Sequence, residues 1–71
     1  MKTKDILKQL KQYLLEDDFD WLDKLFIEIY SEELSPEQQE KLSDILDEAT
    51  LYLELKEANY KNVALEMIEN L

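Results

Sequence analysis

The sequence predicts an all-α fold, a small helical bundle, on three observations. Apolar residues recur at spacings of three and four through most of the chain, the signature of amphipathic helices rather than of alternating strands. Strong breakers are almost absent, with no glycine and one proline, Pro36. Ser35-Pro36-Glu37-Gln38 is a complete helix start: Ser35 caps, Pro36 fits the first helical position, and Gln38 closes a Ser-x-x-Gln capping box.

Taken in order, the first helix is expected at about 4–15, with Thr3 as its cap. Ile6, Leu7, Leu10, Tyr13 and Leu14 form a narrow stripe, and Leu15 points away from it. Glu16-Asp17-Asp18-Phe19-Asp20 marks a turn whose carboxylates can cap the next helix. The second helix is expected at 19–31. Its apolar arc, Trp21, Leu22, Leu25, Phe26, Ile29 and Tyr30, covers nearly half the circumference, which predicts the central helix of the bundle. Trp21 aligns with Leu25 and is read as a core residue, while Ile27 falls outside the arc.

After Ser35 the stripe of Leu42, Ile45, Leu46, Ala49, Tyr52 and Leu53 keeps its phase at Tyr60 and again at Leu71. That phase favours one long helix over 36–71. Lys56 to Asn62 dilute the pattern, and Asn59 can cap a new helix, so the alternative is a break within 56–62. The expected architecture is therefore one domain over 1–71, two short antiparallel helices packed on a long or kinked third, with a four-helix version as alternative. A continuous third helix would be about 50 Å long and would outrun its partners. Tyr60, Val63, Met67, Ile68 and Leu71 would then need cover from a second copy, which predicts a homodimer.

Composition excludes several functions. The chain carries 18 acidic residues against 8 basic ones, for a formal charge of −10. Direct nucleic-acid binding requires clustered cations, and anionic membrane surfaces are disfavoured for the same reason. No run is long or apolar enough for a signal or a membrane span, so a cytoplasmic location is the expectation. Without cysteine there is no disulfide framework and no thiolate metal site.

With neither histidine nor cysteine, the commonest general base and the best nucleophile are missing, and no enzymatic activity, catalytic residue or cofactor is expected. The acidic turn fails the calcium-loop pattern: counted from Asp18, the sixth position is Asp23 rather than glycine, and the twelfth is Ile29 rather than glutamate. Capping accounts for it better.

Two features of the third helix remain. Glu37, Glu40, Asp44, Asp47 and Glu48 share the face opposite its apolar stripe. A solvated helix face explains such a ladder, but the net charge exceeds what solubility needs. Leu51, Leu55 and Ala58 continue the same outer side, with Leu15 and Ile27 as further exposed candidates. An apolar patch beyond an acid ladder points to a protein-binding surface with charge complementarity. The leading expectation is a non-enzymatic acidic interaction module of adaptor, chaperone or inhibitor type. The alternatives are a nucleic-acid mimic that fills a basic groove, and a divalent-metal binder using carboxylates alone.

Overall fold

The computed structural model describes residues 2–71. It contains four helices packed together: α1 (Thr3–Glu16), α2 (Phe19–Ser31), α3 (Pro36–Leu55) and α4 (Ala58–Glu69). Cross-helix contacts give their directions. Thr3 meets Gln38 and Asp17 meets Tyr52, so α1 and α3 run the same way. Lys61 reaches Asp17 and Glu69 reaches Lys11, so α4 runs against α1. Phe19 lies on Tyr52, which sets the start of α2 against the end of α3. This is an up-down-up-down bundle. Its cross-section is flattened, because α1 and α3 touch across one diagonal while α2 and α4 do not approach across the other.

The core follows the stripes. Ile6, Leu10 and Leu14 of α1, Leu22, Leu25 and Ile29 of α2, and Leu42, Ile45 and Ala49 of α3 are all buried. The central diagonal belongs to α1 and α3, each of which touches the other three helices, and not to α2. A narrow stripe suffices for α1 because neighbours converge on it from three sides. The wide arc of α2 instead overflows the core, leaving Trp21 52% and Tyr30 66% exposed. Trp21 is therefore a surface residue, stacked on Tyr13 with its ring centroid 6.3 Å away and the Lys24 ammonium over its face.

Local chemistry sets the helix ends. Lys2, not Thr3, occupies the cap position of α1; the Thr3 hydroxyl accepts from Gln38 Nε2 at 3.1 Å and ties α1 to α3. Asp17 ends α1 in the left-handed region, and Asp17 and Asp18 donate back to Leu14 and Tyr13 in a Schellman pattern. Asp18 then caps α2 by accepting from the Trp21 backbone N–H. The Ser35–Gln38 capping box is complete, with Pro36 in the first turn.

The long third helix does not continue to Leu71. It stops at Leu55, where Lys56 turns left-handed at φ 56° and donates to the Tyr52 carbonyl. Asn59 is not the cap of α4; Glu57 holds that position without a side-chain hydrogen bond. A left-handed non-glycine residue costs about 1–2 kcal/mol. Folding back buries Ala64 and packs Tyr60, Leu65, Met67 and Ile68 on the core. Full burial of one such side chain is worth about 1.5–3 kcal/mol, so several partial burials outweigh the turn.

The turn also resets the helical phase. Leu65, off the predicted stripe, packs inward, whereas Val63, on it, is 38% exposed. The uncovered stripe that called for a second copy is thus largely covered from within, although Leu71 stays exposed. No described helix is long and apolar enough to cross a membrane.

Candidate interaction surface

The outer ridge of α3 carries the predicted residues, and the structure distributes them unevenly. Glu37, Glu40, Asp44 and Asp47 are exposed, while Glu48 is half-buried. Glu37 pairs with Lys41 at 3.3 Å, one turn along the helix. Asp44 leans towards α4, lining a groove with Ile45, Met67 and Leu71. Asp47 leans the other way, towards α2. The ladder therefore splits across the two flanks of α3 instead of forming one unbroken strip.

The apolar patch is divided as well. Leu51 is half-buried and Leu55 is 54% exposed, but Ala58 lies beyond the break, in the first turn of α4. Leu51, Leu55 and Ala58 thus no longer share one helical face. Leu51 turns instead towards Tyr30 of α2, and with Thr50 and Asp47 they enclose an open groove of about 340 Å³. A second groove of about 290 Å³ adjoins it, lined by Ile29, Leu34, Ser43 and Leu46. Tyr30 and Asp47 line both, so the two form one furrow between α2 and α3.

Tyr30 and Leu34 are the residues that sequence reasoning missed here. Tyr30 sits at the edge of the α2 arc, where packing is the favoured reading; that edge position and its aromatic character are the signals that point to an interface. Leu15 and Ile27 are exposed, at 57% and 63%, but neither lines this furrow.

A separate polar cluster closes the end of the bundle where both hairpins turn. The Tyr52 hydroxyl donates to Asp17 Oδ1 at 2.5 Å, and Lys61 Nζ donates to the same oxygen at 3.0 Å. Lys61 also lies over the Tyr52 ring, and Lys56 over Phe19. The cluster joins α1, α3 and α4 through one carboxylate. The hydrogen bond from Tyr52, then that from Lys61, stabilises charged Asp17 and lowers its pKa below the ordinary value. The bond to Asp17 in turn holds the Tyr52 phenol and the Lys61 ammonium above theirs.

These directions fix the sign of the pH dependence. Asp17 titrates lower in the folded state than unfolded, so its contribution is present above the unfolded carboxylate pKa of about 3.9 and is lost as pH falls through the folded value. Tyr52 and Lys61 contribute below about pH 10 and lose that contribution as pH rises through their folded values. The Asp17→Asn variant should accordingly melt slightly below the native protein at neutral pH, the gap being small because exposed ion pairs are weak. In paired melts from pH 7 to pH 2 that gap should close below about pH 4; a gap independent of pH would remove the electrostatic role.

Among the described residues no three or more carboxylates converge into a cluster that could hold a metal ion. Asp17 and Asp18 of the acidic turn are used for the clasp and for capping. No family model, curated protein or solved structure matches the chain.

Proposed function

We propose that this chain is a non-enzymatic, acidic protein–protein interaction module, an adaptor, chaperone or inhibitor in type, working in the cytoplasm. The observation that supports it is the juxtaposition beside α3 of the exposed Tyr30 and half-buried Leu51 with the Asp47 carboxylate, with exposed Leu55 one turn further along α3. Apolar contact supplies affinity, and the acids elsewhere along α3, Glu37, Glu40, Asp44 and Glu48, supply longer-range steering and partner choice. The absence of histidine and cysteine supports a binding role over a chemical one.

The test is capture of partners from nuclease-treated lysate of the source cells by tagged protein, with washes at low and high salt. The double variant Leu51→Lys, Leu55→Lys should keep native helicity and lose at least nine-tenths of the partners that survive high salt, on the order of a tenfold loss in affinity or more. Full retention would overturn the proposal. Retention of basic nucleic-acid-binding proteins that elute at high salt would favour the mimic instead, since exposed charge pairs are screened. The Glu37–Lys41 pair and the half-buried Glu48 both weaken the ladder as a phosphate imitation. A homodimer through Tyr60, Val63, Met67, Ile68 and Leu71 loses its main motive once α4 folds back.

A further inference from the structure

We infer that the furrow between α2 and α3 is a docking site for one helical segment of a partner protein, amphipathic and basic. This rests on the interaction reading above and names the partner's chemistry. Shape comes first. The two grooves meet at Tyr30 and Asp47 and follow α3 from Gln39 to Leu51. Twelve residues of helix rise about 18 Å, which matches about three turns of a docked helix. Each groove is shallow and open to solvent, a form that suits apolar anchors at i, i+3 or i+4, and i+7 rather than an enclosed small molecule. Tyr30, exposed between the grooves in the last turn of α2, is the kind of residue that anchors interfaces.

Charge decides the rest of the partner's character. From Ser31 to Leu55 the chain carries eight carboxylates, Glu32, Glu33, Glu37, Glu40, Asp44, Asp47, Glu48 and Glu54, against the single lysine Lys41. No lysine lines either groove. Lys24, Lys56 and Lys61 lie over aromatic rings elsewhere, Lys11 reaches Glu69, and Lys41 pairs with Glu37. An apolar floor in such a field selects a helix with leucine-like residues on one side and lysine or arginine along its flanks. An acidic or purely polar segment is repelled.

The experiment titrates the labelled 71-residue chain with a synthetic helical peptide of about 15 residues. Its leucines lie on one face and its flanks carry lysine; a scrambled peptide of equal composition has no apolar face. Amide NMR shifts locate the binding. The expected result is saturable binding of the patterned peptide at about 0.5 M salt, where charge alone is screened. Shifts should centre on Tyr30, Leu34, Ser43, Asp47 and Leu51, and affinity should fall at least tenfold in Tyr30→Lys or Leu51→Lys. Ile27→Lys, an exposed change on the same helix, should bind as the native protein does, and circular dichroism checks that each variant folds.

Equal binding of both peptides, shifts centred on Met67 and Leu71, or no binding would overturn the inference. So would a concentration-dependent dimer dissociated by Tyr30→Lys, since a second copy would then fill the furrow. Lysate partners that remain sensitive to Leu51→Lys, Leu55→Lys while the peptide fails would sink this inference alone. Their insensitivity would sink the interaction reading itself.

Discussion

Replacing Leu10 with alanine should leave the protein largely unfolded at room temperature. Leu10 is fully buried on α1, one of the two helices that touch all three others. Deleting a buried leucine side chain beyond Cβ costs about 2–5 kcal/mol, because the lost transfer energy is joined by the cavity left behind. A bundle of this size, without disulfide or metal, rarely holds more than roughly 3–5 kcal/mol in total. The loss and the whole stability are therefore of the same size. Urea titration followed by far-ultraviolet circular dichroism would measure it. Leu15→Ala, on the outer side of the same helix and 57% exposed, is the control and should change stability by less than about 0.5 kcal/mol. If Leu10→Ala retained a native-like transition, burial on the inner face of α1 would not be a main source of stability.

The second large effect is expected at Ala64. It is the one fully buried residue described in α4, and its small side chain lets that helix lie close to the bundle. Ala64→Leu adds three carbons where no space exists, which costs about 1–3 kcal/mol. For a domain of this length the melting temperature should fall by roughly 4–24 °C. The damage should be local at first. Hydrogen exchange should accelerate across Ala58–Glu69 before it does at Leu10 or Leu42, because α4 contributes least to the buried core. Ala58→Leu, at an exposed position, should leave both readouts unchanged. Uniform loss of protection across all four helices would show that α4 is not a separable unit.

Much of the architecture was legible in the residues. The stripes of α1 and α2, the acidic turn between them and the Ser35 capping box are local signals, and each corresponds to an observed element. The break after Leu55 was the less favoured of two readings, because Lys56 carries no breaker signature and the apolar phase happens to run on to Leu71. Only burial of Ala64 and its neighbours makes a left-handed lysine worthwhile. Trp21 and Tyr30 failed for a related reason. Periodicity places a residue on a face, but how far the core extends around that face depends on where the next helix lies.

The candidate surface shows the same division. Aligned carboxylates and an apolar extension of α3 could be read from spacing, but the pairing of Leu51 and Asp47 with Tyr30 could not. Nor could the meeting of Asp17, Tyr52 and Lys61 at one carboxylate oxygen, since these residues are separated by up to 44 positions. By itself the sequence determined an all-helical, acidic chain without the residues of common catalysis, because composition and short-range periodicity carry that information. Tertiary structure alone decided that there are four helices, that α1 and α3 share the central diagonal, and that a furrow opens between α2 and α3. Those outcomes depend on which apolar faces meet, and that is settled by packing between residues distant along the chain.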